Sequence, residues 1–220
     1  MTRSDLLAVC RNELYSAVVS DTLDGLGYCN QAMAPGFTPL ADETVLVGFA
    51  RTGIYLPIYH DDDSVNVYEH EIELVDSLRE DEVIVLSCAD NLRITPWGEL
   101  LSTRAKYLKA AGCITDGSVR DARLIRAMGF SVFSRGRNPV DTKHRGKMIW
   151  RDVPVDVGGV RINTGDFIIG DLDGVVVAPR AVADEAIAKA LQKVRAESTV
   201  REELAAGQSL AAVFEKHRIL

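Results

Sequence analysis

No run of apolar residues in this chain approaches the ~18 needed to cross a bilayer as a helix. The opening MTRSDLLAVCRNELYSAVVS is amphipathic and mixed in charge, without the apolar centre of a signal peptide. Together these predict a cytoplasmic chain with no membrane partner. Cysteine is sparse: Cys10, Cys29, Cys88 and Cys113 are far apart and form no CxxC, which excludes a disulfide framework and a cysteine zinc site. Positive charge is in deficit, with 25 Lys and Arg against 32 Asp and Glu, a net charge of −7 and a pI near 5.2. That argues against nucleic acid as the main ligand, since neutralising phosphates needs a basic face. An acidic surface still suits a basic patch on a protein partner. A GxGxxG turn after a first strand is missing, which removes the dinucleotide-binding reading. There is no internal repeat and no linker of disordered composition.

What is present is ample for a core: 47% of the 220 residues are hydrophobic. The pattern predicts an α/β chain forming a single domain over 1–220, with N-terminal helices in 1–30, a core over 40–180 and C-terminal helices over 181–220. Leu6, Leu7, Cys10, Leu14, Ala17 and Val18 repeat at helical spacing and predict a helix over 4–19. Ser20 or Asp21 then caps a short helix over 22–26; Asp21 and Asp24 read as a cap and a solvated acid, or as carboxylates at the mouth of a site. TVLVGFARTGIYLPIY is strand. HDDDS, His60 to Ser64, suggests a metal, although consecutive exposed carboxylates do not all face one ion. A helix over 67–78, the apolar strand EVIVLSC and a loop to Thr95 follow.

The stretch Trp97 to Asp121 is predicted as a helix ended by Gly112, a buried strand CIT, and a turn DGSVRD opening the helix ARLIRAM. FSVFSRG is the next strand, and strand–helix–strand alternation implies parallel pairing. Arg137 to Met148 reads as a polar loop. VPVDV, GGVRIN, DFIIG and GVVVAP read as antiparallel ribbons, and 180–204 and 210–217 as helices.

A glycine turn leading into a helix aims backbone N–H groups and the helix dipole at an anion. Arg120 adds a planar fork suited to a carboxylate. Asp121 and Glu99 offer oxygens to a hard cation such as Mg²⁺ or Mn²⁺. The same residues equally fit a helix cap and a surface ion pair. Other chemistries fare worse. A Schiff-base lysine needs a dry pocket, but Lys106 and Lys109 fall on a polar helix face and Lys143 and Lys147 in a polar loop. Cys113 begins a buried strand, and His70 and His217 read as helix-surface residues. His144 borders a pocket in the loop reading.

Glu99, twenty residues, then Arg120-Asp121 resembles the signature of class II pyruvate aldolases of the 4-hydroxy-4-methyl-2-oxoglutarate / 4-carboxy-4-hydroxy-2-oxoadipate type, which share a fold with RraA proteins, regulators of ribonuclease E. SAVVSDTLDGLG, GFSVFSRGRNP and GGVRINTGDFIIGDLDGVVVAP also look like this family. The resemblance implies a three-layer β/β/α swivelling-domain (RraA-like) fold with additional N- and C-terminal helices. It implies a metal-dependent lyase that releases pyruvate from a 4-hydroxy-2-oxo acid or diacid, with oxaloacetate decarboxylation as a second activity. Asp121 would hold Mg²⁺ or Mn²⁺, directly or through water, with Glu99. Arg120 would bind the oxo-acid end, and backbone N–H groups from Gly98 through Glu99, Leu100 and Leu101 the pyruvyl carboxylate. Glu197 would reach the site of a neighbouring subunit in a homotrimer or homohexamer. Two positions depart from the pattern: Glu99 stands where the aldolases usually have Asp, and Thr95 where they have Gly. The other function carried by the same resemblance is a non-catalytic regulator that binds a ribonuclease. Arg51, His144 and the HDDDS loop are the candidates for substrate specificity.

Overall fold

Alternation along the central strands sends side chains to two different cores. The computed structural model describes residues 3–60, 62 and 64–218. Its main sheet contains β1 (Thr38–Pro39), β2 (Leu46–Pro57), β3 (Glu82–Ser87), β4 (Gly112–Val119), β5 (Ser131–Arg137), β6 (Gly146–Arg151), β9 (Phe167–Asp171) and β10 (Gly174–Ala178). The hairpin of β7 (Val155–Val157) and β8 (Val160–Ile162) stands apart from it. Strand order is β1-β5-β4-β3-β2-β9-β10, and β6 also pairs with β2. The run β2-β3-β4-β5 is parallel, as the alternation with helices requires. β9 and β10 form an antiparallel hairpin, and β9 and β6 pair antiparallel with the first and second halves of β2.

Val83, Val85, Ile114, Phe133, Ile168, Val175 and Val177 face an inner core closed by the β7–β8 hairpin. Ile84, Leu86, Cys113 and Val132 face outward, against α3 (Glu69–Asp76), α4 (Glu99–Tyr107) and α5 (Ala122–Met128). On the β9–β10 side, Phe167, Ile169, Val176 and Ala178 pack with α1 (Arg3–Glu13), α2 (Ser16–Gly25) and α6 (Ala183–Ala205). The result is a nearly closed sheet with helices outside it, the layering implied by the family resemblance. The period-2 burial makes each strand part of two layers. The β7–β8 turn uses Gly158 and Gly159, both at positive φ, 62° and 76°, as a two-residue hairpin turn of this twist demands. The last helix is α7 (Leu210–His217), capped by the Ser209 hydroxyl. Among the described residues, no helix is long and apolar enough to cross a membrane.

The structure differs from the local reading in three places. The helix expected over 4–19 breaks at Tyr15, which is extended. Asp171, at the β9–β10 turn, takes both the Ser16 N–H and the Ser16 hydroxyl at 2.6 Å. A contact 155 residues away therefore starts a new helix at Ser16. Asp21 then lies inside α2 and pairs with Lys193 at 2.7 Å, so it caps nothing. Helix α4 ends at Tyr107, and Gly112 opens β4, which runs on through Asp116, Gly117 and Ser118 where a turn was expected. Asp116 is tolerated in a strand because its buried carboxylate accepts the N–H groups of Cys88 and Asp90. Finally, the polar loop after β5 gives way at Gly146 to β6, which pairs with β2.

Candidate functional site

The extended β4 is what brings the site together. Beyond a bulge after Thr115, Ser118 binds the chain that precedes α4: its N–H donates to Ile94 O and its hydroxyl to Leu92 O. Val119 bridges to Trp97, and the Arg120 N–H donates to Trp97 O at 3.0 Å. Trp97 is buried, its indole N–H on Ser102 Oγ at 2.8 Å and its ring stacked on Phe130. The turn carrying Arg120 and Asp121 thus lies against the first turn of α4.

Gly98 is the N-cap of α4 and, lacking a side chain, offers the helix no cap of its own. Asp121 Oδ2 accepts the Glu99 N–H at 3.2 Å. The N–H groups of Leu100 and Leu101 are left to whatever occupies the space in front, as in any helical first turn. Gly98 has no Cβ for a physical reason: a methyl there would stand 3.0 Å from Asp121 Oδ2 and 3.2 Å from Arg120 Cγ and Nε. Asp121 itself adopts the left-handed region, φ 57°, which aspartate tolerates better than most residues.

Arg120 lies between two carboxylates. Its Nη1 is 2.9 Å from Asp141 Oδ2 and its Nε 3.6 Å from Asp121 Oδ2. Asp141 also accepts the Tyr68 hydroxyl and the Lys143 N–H, each at 3.0 Å. Burial works to raise the Asp141 carboxyl. The Lys143 N–H, Arg120 and Tyr68 outweigh it and hold the group below the usual carboxylate range. Burial also works against the Arg120 charge, but Asp141 and Asp121 keep it above the ordinary arginine value. Burial and then Asp141 push the Tyr68 hydroxyl up to about 12.

Tyr68, Arg120 and Asp141 line a cavity of about 310 Å³ with Glu71, Ile72, Thr95, Pro96, Leu100 and Leu101. A second cavity of about 230 Å³ adjoins across Tyr68 and holds His60, Asp62, Lys143 and Lys147. Of the residues proposed from sequence, Gly98, Glu99, Leu100, Leu101 and Arg120 line the first cavity, and Asp121 touches Gly98, Glu99 and Arg120. Glu197 sits on α6 with Tyr15 and Arg201. Arg51 is held by Asp152 and Glu82 and lines neither cavity. His144 also lines neither, while His60 and Asp62 of the HDDDS stretch border the second; Asp61 and Asp63 lie outside the described residues. Sequence reasoning missed Tyr68, Glu71 and Asp141. They come from two segments far apart in sequence, Tyr68 and Glu71 at the start of α3 and Asp141 in the loop before β6, and only the tertiary packing unites them with Arg120.

Oxygen donors suit Mg²⁺ or Mn²⁺. Glu99 lines the cavity and the Asp121 carboxylate touches its backbone N–H, and the Asp121 side chain keeps 40% of its surface open. Among the described residues there is no cluster of three or more acidic, His or Cys side chains fit to enclose an ion. Mg²⁺ commonly takes one or two carboxylates and keeps several waters, so the residues fit that mode of binding.

Comparison with known proteins adds the lineage. Over 202 residues the chain is 28% identical to Protein DlpA of Legionella pneumophila, covering 92% of this chain but only 32% of that protein. It is 32% identical over 184 residues to a Halalkalibacterium halodurans protein named "Putative 4-hydroxy-4-methyl-2-oxoglutarate aldolase", covering 84% of this chain and 81% of the other. The crystal structure of Streptomyces coelicolor RraAS2, described as an unusual member of the RNase ES inhibitor RraA protein family, superposes with a TM-score of 0.78 at 25% identity, over 91% of this chain and 97% of that one. A family model, RraA-like (Aldolase/RraA), matches residues 16–177, which hold the whole Trp97–Asp121 unit and its surrounding cavity, and the chain belongs to that family.

Proposed function

We propose that the chain is a divalent-metal-dependent lyase that cleaves a 4-hydroxy-2-oxo acid or diacid by a retro-aldol reaction to pyruvate, and that it also decarboxylates oxaloacetate. The observation carrying this reading is that Arg120 and the first turn of α4 line one cavity, with Asp121 in contact with both. The aldolase name of the H. halodurans relative supports it.

In this reading the Leu100 and Leu101 N–H groups and the α4 dipole bind the substrate's C1 carboxylate. Arg120, oriented by Asp141, donates to the oxo-acid end and offsets the negative charge that develops at O2 as the C3–C4 bond breaks. Bound Mg²⁺ or Mn²⁺, held by Asp121 and by Glu99 through water, would supply further polarisation of the C2 carbonyl. Oxaloacetate leaves the same enolate after losing carbon dioxide, so the same groups serve both reactions. The assembly in this proposal is a trimer or hexamer in which Glu197 reaches a neighbour's site.

The test is direct. Purified protein is given Mg²⁺ or Mn²⁺ with oxaloacetate or 4-hydroxy-4-methyl-2-oxoglutarate, and pyruvate is followed through lactate dehydrogenase and NADH. Metal-dependent pyruvate is expected, lost on chelation, with Arg120→Ala and Asp121→Ala each at least ~100-fold slower, the size of a lost electrostatic contact to a developing charge. No pyruvate above background from any such substrate overturns the proposal. The second reading, a regulator that binds a ribonuclease, rests on the likeness to RraAS2; it predicts an effect on ribonuclease activity that survives Arg120→Ala.

A further inference from the structure

We propose that Glu71 is the proton-transfer group of the cavity, taking the substrate's hydroxyl proton as the carbon–carbon bond breaks and returning it to the enolate carbon, with Tyr55 as its positioning residue. The proposal rests on the lyase reading above.

Glu71 projects from α3 into the wall shared with Arg120, Glu99 and Thr95. It is only 8% exposed. Its Oε2 accepts the hydroxyl of Tyr55, a residue of β2 buried in the outer core. Among the described residues no other hydrogen bond reaches its carboxylate, which leaves Oε1 to a ligand. Thr95 Oγ1 is buried in the same wall without a hydrogen-bond partner. Buried polar groups are nearly always hydrogen-bonded. The buried, unpartnered Thr95 Oγ1, in the same wall as the Glu71 carboxylate, therefore points to a polar ligand atom there, beside the oxo-acid end held at Arg120.

The charges around Glu71 suit the task. Burial lifts its carboxyl to about 7; Tyr55 draws it down, Asp141 pushes it up and Arg120 draws it down. Tyr68 is committed to Asp141, and Glu99 stands at the first turn of α4 with Thr103 on its Oε1. Of the other acids of α3, Glu73 pairs with Arg151 of β6 and Asp76 with Arg104 of α4, and Glu69 does not line the cavity. A carboxyl titrating near neutrality serves as base in one step and acid in the next.

The reaction balances within the substrate. The C4–OH proton moves to the Glu71 carboxylate and the C4–O bond becomes a carbonyl. The C3–C4 pair flows into C3–C2, giving the enolate of pyruvate. Glu71 then gives its proton to C3, which forms the methyl group and restores the carboxylate.

Glu71→Gln and Tyr55→Phe, each checked for a native melting temperature, are compared with the full-length wild type in the metal-loaded aldol assay. Pyruvate methyl exchange in D₂O is followed by NMR. Glu71→Gln is expected to lower kcat for aldol cleavage at least ~100-fold, with KM within a few-fold, and to abolish the exchange. Wild-type kcat/KM should fall on the acid side with a limb near pH 7. Tyr55→Phe should retain exchange but move that limb to higher pH, because the lost hydroxyl favours the ionised carboxylate. Exchange at the wild-type rate in Glu71→Gln, or a limb unmoved in Tyr55→Phe, overturns the proposal while leaving a lyase intact. A wild type that makes no pyruvate and exchanges no methyl protons sinks the lyase reading and this proposal together. If Glu71→Gln does not fold, the limb in Tyr55→Phe decides.

Discussion

Asp141→Asn is the sharpest probe of how Arg120 is aimed. Asp141 makes three contacts: Oδ2 to Arg120, and Oδ1 to the Tyr68 hydroxyl and the Lys143 N–H. Asparagine keeps one carbonyl oxygen, enough for Tyr68 and Lys143, but turns an NH₂ toward a guanidinium that can only donate. One charge-assisted bond is lost. Such bonds contribute about 1.5–3 kcal/mol when well buried. Here the side chains are 34% and 40% exposed, and solvent screening reduces the loss to about 1 kcal/mol. That corresponds to a melting temperature lower by roughly 2–4 °C for a chain of this size. The effect on turnover should be larger. Freed from Asp141, Arg120 retains only the longer contact to Asp121, and misplacement of a positioning group by about 1 Å costs roughly 100-fold. A fall in kcat/KM of about 10- to 100-fold is expected in the coupled pyruvate assay, against that small loss in melting temperature. Asp141 also pushes Glu71 up, so the acid limb of the variant should move to lower pH. Wild-type kcat/KM in a folded Asp141→Asn protein would refute the claim that this carboxylate orients the arginine.

Three further outcomes can be measured. Burial raises the folded Glu71 carboxyl from 4.5 to about 7, so between those values the native state holds a proton that the unfolded chain has released. Its stabilising contribution is full below pH 4.5 and lost as pH rises through 7; urea unfolding should therefore show a decline of up to ~3 kcal/mol across that window, absent in Glu71→Gln. Gly98→Ala should fold, since its φ of −152° is ordinary extended backbone, yet its methyl displaces the Arg120 and Asp121 side chains and should cut kcat/KM about 10-fold, a few tenths of an ångström being enough. Gly158→Ala forces a Cβ to 2.7 Å from Phe37 at a φ of 62°, and a drop of about 1–3 kcal/mol in chemical denaturation would express the strain.

The amino-acid order alone carried the alternation of helices and parallel strands, because a run such as EVIVLS or CIT is apolar enough to be buried on both faces. It also carried Glu99, Arg120 and Asp121, since their spacing and neighbours are local marks that need no partner. Tertiary structure decided what such marks do not encode. Whether DGSV is turn or strand depended on the Cys88 and Asp90 N–H groups that satisfy Asp116, and whether a helix breaks at Tyr15 depended on Asp171. The cavity itself needed α3, the turn after β4 and the loop before β6 to meet. Tyr68, Glu71 and Asp141 owe their environment to that meeting. An isolated glutamate is an ordinary acid; Glu71 becomes a group that titrates near neutrality only once the fold has removed its water, with the Tyr55 hydroxyl drawing it partway back.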